Sequence, residues 1–120
     1  MSSFQKPVFG NATAAADLSA KQFYAVKITA DNAVNVAGAA DATAILMNKP
    51  LSGEIAELAL NGGGGKVKLG SGGCSAGNSL KSASGGLLVA ASAGDRAIAI
   101  AEVDGLEGDV VPVIVTIHQA

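Results

Sequence analysis

The stretch Val110-Val-Pro-Val-Ile-Val-Thr-Ile117 decides the fold class, because its apolar residues alternate with a period of two. Two faces result: Val111, Val113, Val115 and Ile117 on one, and Val110 and Ile114 on the other. Since both faces are apolar, we predict a strand in the centre of a sheet or at an interface between subunits. Pro112 has no N–H to donate, which favours a strand start, a bulge or a sheet edge there. The candidate subunit interface consists of Val110, Pro112 and Ile114.

Shorter runs with strand character precede this stretch, at residues 23–30, 34–36, 44–47, 54–60, 66–69, 78–82, 87–89 and 97–102. Asp31 and Asn32 form a turn pair after the first run, because both side chains tolerate left-handed backbone. Residues 54–60 also favour a helix, but the run is short and lies between glycines, so we predict a strand. Eight or nine short strands at spacings of about 8–12 residues predict an all-β domain, either a small barrel or a sandwich.

The first 16 residues show neither strand nor helix periodicity, yet they contain two of the three phenylalanines. Large apolar side chains on such a segment require a surface to cover them. We therefore predict an extended N-terminal arm at residues 1–16, followed by a β-domain at residues 17–120. The alternative is a frayed terminus. The arm residues expected to contact a capsid or a neighbour are Phe4, Lys6, Pro7, Val8 and Phe9.

The apolar residues of the chain are mostly small. The sequence holds 24 Ala and 16 Gly among 120 residues, with no Trp and one Tyr. Small side chains remove little surface from water, at about 25 cal/mol per Å² of apolar area. We therefore expect a thin core whose stability gains from burial against partner chains.

Charge and composition disfavour several classes of partner and compartment. The net charge is −2, the eight Lys and Arg are scattered, and aromatic residues make up 3% of the chain. Nucleic-acid binding requires clustered cations and often stacking rings, so we expect no such partner. No apolar run approaches the roughly 20 residues of a membrane span, and no signal peptide is visible at the N-terminus. Cys74 is the only cysteine, so no internal disulfide is required, and we expect synthesis in the cytoplasm.

Candidate catalytic and cofactor motifs are weak. Lys66 follows four glycines, but a phosphate-binding loop requires Ser or Thr next, and Val67 stands there. We predict a hairpin loop instead. His118 is the only histidine and lies two residues from the end, where an imidazole is poorly held for catalysis.

The sequence evidence for a metal site is equally weak. One histidine and one cysteine cannot form a His/Cys zinc site within one chain. The segment from Asp104 to Asp109 carries acids at positions 1, 4 and 6, unlike a calcium loop, and reads as a polar turn. We therefore expect no enzymatic activity, no metal and no cofactor.

A series of short motifs in a particular order marks the chain from Leu18 onward. They are Leu18-Ser-Ala-Lys-Gln-Phe-Tyr-Ala-Val-Lys27, Ala44-Ile-Leu46, Ser52-Gly-Glu54, Gly65-Lys-Val-Lys-Leu69, Ala76-Gly-Asn-Ser-Leu80, Gly94-Asp-Arg-Ala-Ile-Ala-Ile-Ala101 and Gly108-Asp-Val-Val-Pro-Val-Ile-Val115. Their order resembles the small β-domain decoration, or cement, proteins of tailed-phage capsids. Lys21 stands where that family usually has glycine, and Asn78 where it has aspartate.

The resemblance implies a β-tulip-like domain that binds the outer surface of the mature phage head. It implies the major capsid protein as partner, a stabilising role at joints between capsid subunits, a homotrimer, and an arm that grips a neighbour or the shell. The expected location is the capsid exterior of the virion, after synthesis in the host cytoplasm. The alternative function is a phage surface module that binds a host glycan or another ligand, although such a module would favour exposed aromatic residues.

Overall fold

The computed structural model describes residues 9–120, and side chains from residue 12 onward; every regular element in this part is a strand. The ten strands are β1 (Phe9–Ala14), β2 (Ala25–Ala30), β3 (Ala33–Val36), β4 (Ala44–Leu46), β5 (Ile55–Ala59), β6 (Gly64–Lys68), β7 (Ser79–Ser82), β8 (Leu88–Ala90), β9 (Arg96–Ala101) and β10 (Val110–Gln119). The all-β prediction is confirmed, and β2 to β10 correspond to the nine predicted runs. No helix within residues 9–120 could cross a membrane.

The first five strands close into a barrel in the order β1-β3-β2-β4-β5. The barrel closes through β1, which runs antiparallel to β5 and parallel to β3. Alanine, valine and leucine side chains fill the interior, because a five-stranded barrel leaves too little room for larger rings. The buried interior residues are Ala12, Ala14, Leu18, Val26, Val34, Ala44, Leu46, Ala56 and Leu58.

The predicted boundary between arm and domain is wrong for the described part of the arm. Residues 9–14 form β1, whose Phe9 pairs with Ala59 and whose Thr13 pairs with both Ile55 and Ala33. A strand with little apolar alternation joins the barrel because β3 and β5 offer unpaired backbone groups on both sides. The remaining arm residues, Phe4, Lys6, Pro7 and Val8 among them, lie outside the described residues.

The other five strands form a sheet in the order β6-β10-β9-β7-β8. Its inner face packs on the barrel, and one core cluster contains Ala25 and Ile45 of the barrel together with Leu80, Val113 and Val115 of the sheet. Polar contacts also join the two parts: the buried Ser82 hydroxyl donates to the Gly38 carbonyl at 2.7 Å. The described residues thus form one unit with a shared core.

The core is thin, as the composition predicts. Of the 26 buried apolar side chains in residues 12–120, 11 are alanine. Each buried alanine removes less apolar surface from water than a buried leucine would, so each stabilises the fold less. The largest fully buried side chains are leucines and isoleucine, namely Leu18, Ile45, Leu46, Leu69, Leu80 and Leu88.

Strand β10 lies in the interior of its sheet, between β6 and β9. Pro112 is tolerated there because of where its nitrogen points. The Pro112 carbonyl accepts from the N–H of Glu102 at 3.1 Å. In an antiparallel pair, the nitrogen and the carbonyl of one residue point to the same neighbouring strand, so the Pro112 nitrogen also faces Glu102. Glu102 is one residue beyond the end of β9 at Ala101, so the missing N–H removes no bond from the regular ladder.

A bulge near the end of β10 corrects one detail of the predicted alternation. Val115 pairs with Ala99 and His118 with Ala97, so β10 has one extra residue between these pairs. The extra residue breaks the alternation after Val115. Ile117 was predicted on the face of Val115, yet it is 37% exposed while Val115 is fully buried.

We expect stability to fall as the pH falls below the ordinary aspartate range. The hydrogen bond from Lys27 lowers the pKa of Asp41 below its ordinary value of 3.8, and that from Lys81 lowers the pKa of Asp95 likewise. Groups with a lowered folded-state pKa stabilise the fold above the unfolded-state pKa, and this contribution is lost as the pH falls through the folded-state pKa. Urea denaturation between about pH 5 and pH 2 should show the loss. If the variant D41N/D95N declines as steeply as the wild type, these two carboxylates are not its cause.

Candidate functional site

The outer face of β10 carries an exposed apolar stripe. Val110 and Ile114 are 45% and 49% exposed, and Pro112 between them is half-buried. Ile114 pairs with the half-buried Ile100 of β9, which therefore lies on the same face. We call these four residues, Val110, Pro112, Ile114 and Ile100, the β10 stripe. All three residues of the predicted subunit interface belong to it.

Two lysines flank this stripe. Lys68 pairs with Val110, and Lys66 pairs with Pro112 across the β6–β10 ladder. Directly opposite residues of an antiparallel pair share a face, so both ammonium groups border the apolar surface. Strand β6 is the edge strand of the sheet, and charged residues on an edge also oppose unwanted pairing with other sheets.

A second exposed apolar surface lies in the connection between β9 and β10. Leu106 is 76% exposed, the largest value among the large apolar side chains that the structure describes, and Val103 is 41% exposed. Four exposed acids surround them in residues 102–109, which we call the acidic loop: Glu102, Asp104, Glu107 and Asp109. The sequence pattern predicted only a polar turn, from Asp104 to Asp109. A leucine within a run of acids was the signal that could have identified it.

Hydrogen bonds hold the acidic loop in one conformation. The Asp109 carboxylate accepts from the Leu106 N–H at 2.9 Å, and the Asp104 carboxylate accepts from the Ala76 N–H at 2.7 Å. Cys74 and Gly105 exchange two backbone hydrogen bonds at 2.9 and 3.0 Å. Leu106 is thus presented to solvent on a braced backbone.

The barrel has an apolar groove at one end, beside the turn from β2 to β3. Its lining includes the exposed Ile28 with Leu58 and Leu60, and Asp31 and Asn32 of the turn form its polar side. Strand β1 begins at this end, because Phe9 pairs with Ala59, the neighbour of Leu60. Nothing in the sequence marked this groove, since it depends on barrel closure.

The only histidine contacts a serine. The His118 Nε2 atom lies 2.8 Å from the Ser79 Oγ atom, and its Nδ1 atom lies 2.8 Å from the Thr116 carbonyl. A carbonyl accepts only, so Nδ1 carries a proton, and in the neutral ring Nε2 accepts from the serine hydroxyl. Two hydrogen bonds therefore orient the imidazole, although its place near the C-terminus predicted that it would be poorly held. The groove at the barrel end includes neither of these side chains.

Cys74 and the acids show no arrangement typical of a catalytic or metal site. Burial raises the pKa of the Cys74 thiol, which favours the unreactive protonated form. Its sulfur donates to the Val103 carbonyl at 3.6 Å. Within residues 9–120, no three His, Cys, Asp or Glu side chains come together as metal ligands would. The second pair of the four glycines, Gly64 and Gly65, starts β6, whereas a phosphate-binding loop would precede a helix.

The similarity of the chain to known proteins lies in its fold. No protein-family model and no curated protein matches the sequence. Among solved structures, the chain is similar to the N base of the head fiber gp8.5 in bacteriophage phi29. The TM-score is 0.67 at 17% sequence identity, and the match covers 94% of this chain and 97% of that chain. The two chains therefore share a fold over nearly their whole lengths.

Proposed function

We propose that the chain is a structural protein of a bacteriophage head, a decoration protein that binds the outer surface of the mature capsid. In this role it stabilises contacts between major capsid protein subunits and acts as a homotrimer. The observation that carries the proposal is the shared fold with a phage head fiber base, which extends over 94% of the chain. The order of the sequence motifs supports the same assignment independently.

The surface chemistry of the domain supports a binding role over a catalytic one. Two of the exposed apolar surfaces are held on rigid backbone: the β10 stripe lies on a sheet, and Leu106 lies on the braced acidic loop. Rigid apolar groups bordered by charge are the usual anchors of protein interfaces, because little conformational entropy is lost when they bind.

The N-terminal arm is proposed as a second attachment point. The first described strand, β1, starts at Phe9, and residues 1–8 of the predicted arm precede it in the sequence. Phe4 and Val8 are its large apolar residues, Lys6 adds a charge, and Pro7 favours extended backbone before it. Burial of one phenylalanine ring contributes roughly 1.5–3 kcal/mol, which can offset part of the ordering cost of the arm.

Deletion of residues 2–8 is expected to weaken binding to mature capsids at least tenfold while the domain stays folded. The deletion removes the proposed contacts of Phe4 and Val8 with the shell. A tenfold loss of affinity corresponds to a loss of roughly 1.4 kcal/mol of binding free energy. Co-sedimentation of the purified chain with mature shells, over a range of chain concentrations, measures the effect. Phe4→Ala should account for most of it.

Gln5→Ala is the matched control, because it shortens a neighbouring side chain of the arm without removing an aromatic ring. Binding of the deletion variant at unchanged concentration would mean that residues 2–8 take no part in attachment. Failure of the full chain to bind any mature shell would contradict the proposed function itself.

A second candidate function is to form the base of a longer head fiber, because the similar structure is the N base of a head fiber. Both candidates place the domain on the head, but they differ in what the domain carries. Electron microscopy of decorated heads discriminates between them, because a decoration protein covers the shell as low protrusions and a fiber base continues into a fiber.

A further inference from the structure

We infer that the acidic loop of one copy docks through Leu106 onto the lysine-flanked β10 stripe of a second copy. The inference rests on the self-association included in the proposed function and specifies which surfaces meet. It joins the two exposed apolar surfaces of the sheet in one interface, so that each is buried by the other.

Leu106 is suited to be the anchor of this contact. It is 76% exposed at the tip of a loop whose backbone is fixed by the Asp109 carboxylate and by the bonds between Cys74 and Gly105. A side chain that is already held in place loses little entropy on docking, which leaves more of its burial energy as affinity. The β10 stripe offers a flat apolar surface that such an anchor can cover.

The charges on the two surfaces are complementary. The acidic loop holds four of the ten acidic residues of the chain and no Lys or Arg. The receiving face carries Lys66 and Lys68 on the β6 side of the stripe, and the β6 and β10 strands contain no acid. Glu102 lies on the β9 side, opposite Pro112, so the positive charge borders one side of the stripe only. Exposed ion pairs add little affinity each, so their main effect is to orient the loop on the stripe and to oppose the reverse arrangement.

The contact is heterologous, because two different surfaces of the chain meet. Each copy then has one donor loop and one receiving stripe, and a closed ring satisfies both surfaces of every copy. A ring of three copies agrees with the proposed homotrimer. A ring also leaves no loop or stripe exposed, whereas an open chain of copies would leave one of each.

Sedimentation velocity of the full chain over a concentration series tests the apolar part of the contact. Leu106→Ser is expected to weaken self-association at least tenfold. Leu51→Ser is the matched control, since Leu51 is also an exposed leucine, at 51%, but lies between β4 and β5 in the barrel part. We expect it to leave self-association unchanged. If the chain is monomeric at every concentration up to about 1 mM, the inference is overturned. A dissociation constant of about 1 mM corresponds to a binding free energy of only about −4 kcal/mol.

Charge reversal tests the orientation. The variants K68E and E107K should each weaken self-association, because each places like charges across the interface. The double variant K68E/E107K should restore it to within about threefold at low salt, where surface charges act most strongly. Asp104 and Asp109 are kept because their carboxylates hold the loop, and Glu102 because it lies opposite Pro112 of its own copy. Failure of the double variant to recover would overturn the proposed pairing of surfaces.

These measurements separate the inference from the proposed function. A chain that self-associates as expected but does not bind mature shells contradicts the proposed function and supports the interface. A chain that binds shells and responds to none of the Leu106 or charge variants contradicts the interface and supports the proposed function.

Discussion

A chain that lacks residues 2–12 is expected to be unfolded at room temperature, whereas a chain that lacks only residues 2–8 keeps its fold. The longer deletion removes four of the six residues of β1, from Phe9 to Ala12. Four of the five pairs with β5 are lost, from Phe9↔Ala59 to Ala12↔Ala56. The barrel then opens between β3 and β5, and buried backbone groups lose their partners.

The expected magnitude follows from the backbone bonds and the core. Each intramolecular hydrogen bond contributes about 1 kcal/mol net, and opening the barrel also exposes its interior apolar cluster to water. The total loss is on the order of 5 kcal/mol, comparable to the whole stability of a small domain. The thin alanine core leaves little reserve against such a loss.

Far-UV circular dichroism and amide-resolved NMR spectra of the two deletion variants measure this difference. The variant without residues 2–8 is the control for removal of the N-terminus as such. If the chain without residues 2–12 melts at the temperature of the full chain, then β1 does not stabilise the barrel. The arm boundary predicted from the sequence, at residue 16, would then be correct.

Gly73→Ala is expected to destabilise the domain by about 3 kcal/mol, with a fall in Tm of about 10 °C. Gly73 has φ +61, and a methyl group there would overlap the Gly105 carbonyl oxygen and come within 3.0 Å of the Leu106 Cα atom. Both are backbone atoms and cannot rotate away. The paired hydrogen bonds between Cys74 and Gly105 must therefore break, and the acidic loop must move.

Gly72→Ala is the matched control for this substitution. Gly72 has φ +87, and nothing lies within 4 Å of a methyl group built there. Only the cost of left-handed backbone remains, roughly 1–2 kcal/mol for a residue with a side chain. Thermal unfolding of the two variants separates the steric contribution from the backbone one. Equal losses of stability in both would show that the close approach of Gly73 to Gly105 is unimportant for folding.

The sequence by itself determined the fold class and nine of the ten strands. Period-two alternation is a local property, so β10 and the runs before it could be read without knowledge of their neighbours. Composition likewise predicted the alanine-rich core. The same alternation placed Val110 and Ile114 on one face of β10 and Val111, Val113 and Val115 on the other. That the first face is exposed depends on which side of the sheet the barrel covers.

Only the tertiary structure decided the features that depend on distant pairings. Strand β1 carries little alternation of its own and is a strand because β3 and β5 bond to its backbone on both sides. Pro112 lies inside a sheet because β9 ends at Ala101, beside its missing N–H. Leu106 is held outward by partners about 30 residues earlier in the chain, Cys74 and Ala76. Such contacts join residues whose separation along the chain carries no periodic signal, so local pattern cannot reveal them.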